Sequence, residues 1–143
     1  MPGNLKIDPR DAAAIAHETM ITENEIIKCT RVRSGFLPKI KTLLAGLVQT
    51  ILLRTRMFDK GGTPTFAYKS FINKMKNPPT DYVFESYVLF LARQNQFRIK
   101  RPKITYRQRK YGDSHWQRGI KSEVALLKKI IKSSRSWKNI QTT

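Results

Sequence analysis

The sequence predicts an α/β domain of about three strands packed with three to four helices. Segments whose apolar residues recur every three or four positions alternate with short strand-like runs rich in Ile, Thr, Phe and Tyr. Glycine and proline punctuate the joins, and such an order favours a sheet covered by helices. At 143 residues the chain fits one ordinary domain, and a domain of that size buries about two-thirds of its unfolded surface.

Each element has a local cause. Asp8 is a good N-cap and Pro9 suits the first helical position, so Ala12, Ala13, Ala14 and Ile15 continue a helix expected from Pro9 to Thr22. Glu25 to Thr30 holds Ile26, Ile27 and Cys29 with little helical period and reads as a short buried strand, with Arg31 and Arg33 just beyond its end. Ser34 can cap the next helix, which ends near Arg54. Its stripe, Leu37, Ile40, Leu44, Leu47 and Ile51, is expected to face the strands.

The pair Gly61-Gly62 marks a turn into a strand from Thr63 to Tyr68, and Ser70 to Met75 reads as a helical turn. Pro78-Pro79 ends that segment. Thr80 or Asp81 then caps a helix with Phe84, Tyr87, Val88 and Leu91 on its inner face. Arg98 to Arg107 is a third strand, in which Pro102 suggests an edge or a bulge. After a loop from Gln108 to Gly119, the residues Ile120, Val124, Leu127 and Ile131 begin a last amphipathic helix, with lysines on its other face. The domain is expected to span 1–132, followed by a polar, frayed tail over 133–143.

Composition restricts the function classes. The chain has 28 Lys and Arg against 10 Asp and Glu, a net charge of +18, so it attracts phosphate in nucleic acid, anionic lipid or nucleotide. The lone Cys29 excludes an internal disulfide, fits a reducing compartment and reads as a small buried hydrophobe. The most apolar run, Thr42 to Leu53, is interrupted by Gly46 and Gln49 and falls short of the roughly 20 residues a bilayer span needs. No signal peptide is visible, so a cytoplasmic location is expected, peripheral at the inner face of the membrane.

Between Asp59 and Ser122 the chain strings together Asp59-x-x-Gly62-x-Pro64, Pro79-x-Asp81-x-x-x-Glu85, Ala92-Arg93 and Arg109-x-x-Gly112-x-Ser114-x-Trp116-x-x-Gly119-x-x-Ser122. This ordered series resembles the acceptor-side half of a family-2 glycosyltransferase, in the branch that passes sugars to polyprenyl or dolichyl phosphate. The resemblance implies a partial GT-A-type fold, a nucleotide-sugar donor, a lipid-phosphate or glycan acceptor and a divalent metal, Mg or Mn.

Upstream, Asn4-Leu5-Lys6-x-Asp8-Pro9-x-Asp11 resembles the family's DxD segment from its second acid onward. Asn4 stands at the metal-ligand position, where an amide oxygen gives a hard cation less field than a carboxylate. The donor-binding half is expected in a separate polypeptide or a longer frame, and the isolated chain is not expected to turn over nucleotide sugar.

The resemblance also assigns roles. Asp59 lies near the transfer point, and Glu85 faces the acceptor as general base. Arg31, Arg33, Arg107, Arg109 and Ser114 meet the donor or acceptor phosphates, a task that planar guanidinium groups perform with paired hydrogen bonds. Simpler readings stand beside these: a turn cap at Asp59, helix capping at Asp81, and a solvated basic turn at Arg31 and Arg33. His115 reads as a surface residue and Trp116 as a packing anchor. If the site exists, Asp59, Glu85, Arg107 and Arg109 converge.

Two other functions compete with a transferase. One is a non-catalytic nucleic-acid binder, which the basic run from Arg98 to Lys110 with Tyr106 and Tyr111 would suit. The other is a partner subunit that completes a split enzyme. The last helix, apolar on one stripe and lysine-rich beside it, suits either an anionic membrane surface or simple docking on the sheet.

Overall fold

A computed structural model describes residues 7–31, 37–58, 62–104 and 119–140. The fold is mixed α/β. Its described elements are α1 (Pro9–Glu18), β1 (Glu25–Lys28), β2 (Thr30–Arg31), α2 (Leu37–Leu53), β3 (Thr65–Ala67), α3 (Lys69–Ile72), α4 (Phe84–Gln94), β4 (Arg98–Lys100), β5 (Lys103–Ile104) and α5 (Gly119–Ile140).

All four residues of β1 are buried because it is the central strand of a three-stranded sheet ordered β3-β1-β4. β3 pairs with it antiparallel, Ile27 opposite Phe66, and β4 pairs parallel, Ile26 opposite Ile99. The chain then continues into a second parallel ladder, in which Thr30 pairs with Lys103 and Arg31 with Ile104. The residue offset is the same in both ladders, so Pro102 interrupts an edge strand without a bulge. Its carbonyl still accepts the Thr30 N–H at 2.8 Å.

Side chains alternate across β1, and the two faces bury different partners. Ile27 and Cys29 join Ile7, Ala12 of α1 and Ile104 in one cluster. Ile26 joins Phe71, Val88 and Ala92 in another, against α4. α1 is capped as its sequence predicts: the Asp8 carboxylate accepts the Arg10 N–H at 2.9 Å. It stops at Glu18, short of the expected Thr22, because the Thr22 N–H is drawn to the Glu25 carboxylate at the start of β1.

α4 is the middle layer and is buried nearly all round, including Ser86, Tyr87, Leu89, Phe90 and Ala92. Its far side meets Leu53, Met57 and Trp137 in the largest cluster. Trp137 lies edge-on to Tyr87, with ring centroids 5.5 Å apart, and stacks on Phe90 at 5.8 Å. The Tyr87 hydroxyl in turn donates to the Lys76 carbonyl at 2.9 Å and accepts the Lys76 N–H at 3.0 Å, which pins the loop before α4.

Two expectations about the helices are corrected. The segment from Ser133 does not fray: α5 continues to Ile140 and buries Ser134 and Trp137. Ile130, Ser134 and Trp137 recur at helical spacing, and this stripe of α5 docks inside the protein. The stripe of α2 is also turned the other way. Leu44, Leu47 and Ile51 are 56%, 46% and 68% exposed, whereas Gln49 and Leu53 are buried and Gly46 lies inward beside Met57 and Phe58.

The reason is the partner. α2 packs along α5, where Gln49 Nε2 donates to Ser134 Oγ at 3.3 Å in full burial. A residue two positions along a helix points to nearly the opposite side, so seating Gln49 and Leu53 turns Leu47 and Ile51 out. Thr50 secures the end of α2 by donating to the Gly46 carbonyl at 2.7 Å and accepting the Met57 N–H at 2.9 Å.

Trp137→Ala is expected to destabilise the fold by about 3–5 kcal/mol through the cavity it leaves. Ile51→Ala on the exposed side of α2 should cost well under about 1 kcal/mol. Urea unfolding followed by far-ultraviolet circular dichroism measures both, and equal losses would contradict the burial of the α5 terminus.

Candidate functional site

The centre of the candidate site is Lys28, the last residue of β1. Alternation along the strand puts its side chain on the α4 face with Ile26, and it has no solvent exposure. A buried ammonium requires oxygen partners, because desolvating a charge without them costs several kcal/mol. Lys28 Nζ donates to the Gly62 carbonyl at 3.3 Å and forms a short ion pair with Glu85 Oε2.

Each partner is delivered by a local device. Gly62 passes so close to β1 that a β-carbon there would lie 1.4 Å from the Cys29 carbonyl oxygen, so only glycine fits. The following Thr63-Pro64 bond is cis, and the Pro64 carbonyl accepts the Cys29 N–H at 3.3 Å. Glu85 stands in the first turn of α4, where the helix dipole favours a carboxylate, and its side chain is 27% exposed. An ammonium and a carboxylate therefore sit side by side at the end of β1, just before the parallel pairing resumes in β2.

Asp81 and Glu85 do not share a helix face, since α4 begins at Phe84. Asp81 instead accepts the Val83 N–H at 2.9 Å and pairs with Lys129 of α5, whose ammonium lies 5.3 Å from the centroid of the Tyr82 ring. Lys129 and the Val83 amide hold the Asp81 carboxyl below the usual range. Asp81 thus braces the turn before α4 and docks α5; it does not cap α4, whose N-cap is Val83. Burial pushes the Cys29 thiol up, away from the thiolate a nucleophile needs.

Arg31 falls in β2 opposite Ile104, just past Lys28. Asn4, Arg33, Asp59, Arg107, Arg109, Ser114, His115 and Trp116 lie outside the described residues, and so does the expected meeting of Asp59, Arg107 and Arg109 with Glu85. Among the described residues no three His, Cys, Asp or Glu come together, so these residues do not form a metal site of their own.

Lys28 stands in the basic run Ile27-Lys28-x-x-Arg31-x-Arg33 but is not among the site residues expected from the sequence. The signal was present: a lone lysine in the apolar run from Ile26 to Cys29, two residues after Ile26 and so on the same strand face.

A second ion pair secures the opposite end of β1. Glu25 Oε2 accepts the Thr22 N–H at 3.0 Å and pairs with Lys100 Nζ at 2.9 Å, with Arg98 Nη1 3.9 Å from the other oxygen. Lys100, then the Thr22 amide, hold the Glu25 carboxyl below its ordinary value. No known protein family, curated protein or solved structure matches the chain.

Removing one member of the Lys28–Glu85 pair should act asymmetrically. Glu85→Ala strands a fully buried ammonium and is expected to cost about 3 kcal/mol. Lys28→Met leaves a carboxylate that water reaches, so its cost should be nearer about 1 kcal/mol. Chemical denaturation of both variants checks the order, and the reverse order would show that the lysine is not the buried partner.

The Glu25 contribution has a defined pH window. Its folded-state pKa is depressed, so its stabilisation is fully present above the unfolded glutamate value of about 4.3 and is lost as pH falls through the folded value. The stability gap between the parent and Glu25→Gln should therefore close on acidification from about pH 5 to below about pH 4. Denaturation midpoints measured across that range test it.

Proposed function

We propose that the chain is the acceptor-side part of a family-2 glycosyltransferase domain of GT-A type. It would serve transfer of a sugar from a nucleotide donor to a polyprenyl phosphate or related glycan acceptor at an anionic membrane surface. The observation that supports this most is the meeting of Lys28, Gly62 and Glu85. Gly62 and Glu85 belong to separate segments of the motif series and Lys28 to the strand before Arg31, and helix-capping acids or solvated lysines have no reason to converge there.

In this reading Glu85 orients the acceptor and Lys28 offsets its charge. A phosphate acceptor is already an anion at neutral pH, so no proton has to be removed from it, and an uncompensated carboxylate would repel it. Arg107, Arg109 and Ser114 supply the donors that close over phosphate, Arg31 and Arg33 continue the basic strand end, and Asp59 stands near the transfer point. Asn4 occupies the place of a metal-binding acid, where Mg or Mn would compensate the donor diphosphate. A separate polypeptide or a further segment supplies the nucleotide-binding half.

The test is binding of a polyprenyl phosphate in detergent micelles to the purified chain. Arg109→Ala should weaken it about tenfold, the loss of one charge-assisted phosphate contact, whereas Lys128→Ala, which removes the same charge elsewhere, should weaken it less than about twofold. The chain alone should not turn over nucleotide sugar. Equal losses for the two variants would remove the site. Duplex or single-stranded nucleic acid binding with a steep salt dependence, and no binding of the lipid phosphate, would favour a nucleic-acid binder instead.

A further inference from the structure

At the other end of α4 from Glu85, about 12 Å along the helix axis at 1.5 Å per residue, lies an open cleft of about 400 Å³ lined by Thr55, Arg93, Gln96, Phe97 and Ile99. Arg93 is in the last turn of α4 and half-buried. Its Nε is buried and has no hydrogen-bond partner. Among the described residues the charges acting on it, Arg101 and Arg56, are both positive, and burial, followed by these two neighbours, disfavours its protonated form. A buried N–H of a cation gathered with like charges is an arrangement that an anion completes.

The surroundings identify the anion. Thr55 ties the cleft to the end of α2, its hydroxyl accepting from Gln94 Nε2 at 3.3 Å. The α2 segment leading to it exposes Leu43, Leu44, Leu47 and Ile51. No Asp or Glu occurs in the sequence between Glu25 and Asp59, while Lys39, Lys41, Arg54 and Arg56 do. A free phosphate or a nucleic-acid backbone would use the arginines and leave the leucines in water. An anionic phospholipid uses both, phosphate on the guanidinium groups and acyl chains beside the apolar helix face. None of the described helices is long and apolar enough to cross a membrane, so the contact is interfacial.

We propose that the cleft lined by Arg93 and Thr55, with Arg56 close enough to act on Arg93, holds the phosphate of an anionic phospholipid while the exposed face of α2 beds into the bilayer interface. This does not depend on the transferase reading, because neither Glu85 nor Lys28 takes part. It places the membrane contact on α2, whereas the stripe of α5 that carries Ile130, Ser134 and Trp137 is spent on packing.

The experiment is co-sedimentation of the full chain with phosphatidylcholine vesicles, with and without roughly one-third phosphatidylglycerol, at an ionic strength that screens distant charges within about 8 Å. Binding is expected only to the anionic vesicles. Arg56→Gln and Arg93→Gln should each weaken it about tenfold or more, and Lys132→Gln less than about twofold. The pair Leu47→Ser with Ile51→Ser should weaken it comparably. Arg56 is exposed, so its replacement leaves the core intact and the comparison survives a misfolded Arg93→Gln.

Equal losses for Arg56→Gln and Lys132→Gln, or unchanged binding in the double serine variant, would overturn the proposal. So would calorimetric binding of inorganic pyrophosphate without vesicle binding, which would make this a site for soluble phosphate. No sugar transfer enters the measurement, so its failure leaves the acceptor-site reading untouched, and the reverse also holds.

Discussion

An ammonium group with no access to water has to be surrounded by oxygen, and that requirement at Lys28 ties the fold together. One lysine at the end of the central strand takes the Gly62 carbonyl from the segment before β3 and the Glu85 carboxylate from the start of α4. The strand end, the glycine turn and the helix N-terminus are thereby held to one geometry. Gly62 cannot be replaced without moving the backbone off Cys29, and α4 cannot slide along the sheet without stranding a buried charge. Such a pair adds little net stability over an apolar substitute, so its physical effect is to specify position.

α4 then carries that geometry into the rest of the molecule. One side meets the sheet through Val88 and Ala92, and the other meets α2 and α5 through Tyr87, Leu89 and Phe90. Because both sides are buried, the helix has no solvated face along most of its length, and buried polar groups are paired at Tyr87, on the Lys76 backbone, and at Gln49, on Ser134 in the neighbouring helix pair, while Arg93 Nε has no hydrogen-bond partner. Two further ion pairs have separate duties. Asp81 anchors α5 through Lys129, and Glu25 anchors the start of β1 through Lys100.

The surplus of positive charge is not spread evenly in its physical effect. Lys128 and Lys132 of α5 are solvated and contribute only to the general field. Lys28 is neutralised inside. Arg93 differs from both, being held half out of water beside Arg56 and Arg101 at the end of α4. The two ends of α4 thus present different chemistry: a paired ammonium and carboxylate at one, guanidinium groups at the other.

Much of the fold was legible from local rules. Asp8 before Pro9 marks the start of α1, the runs around Ile27, Phe66 and Ile99 mark the three principal strands, and Pro102 marks an edge position. These features depend on residues a few positions apart, so the sequence contains them directly. The motif series likewise picked out Gly62 and Glu85, though not the lysine that joins them, and most of its arginines fall outside the described residues.

What depended on tertiary structure was the facing of helices. From Thr42 to Leu53 α2 has no charged residue, so its periodicity defines a stripe without saying which side is inward. The choice fell to a buried Gln49–Ser134 hydrogen bond between residues 85 positions apart, and the same bond makes an inner residue of a serine whose neighbours read as a polar tail. The ion pair of Lys28 with Glu85, 57 positions apart, arises in the same way. Neither contact has a local signature, because the free energy that decides it comes from desolvating polar groups against partners that only the assembled fold brings near.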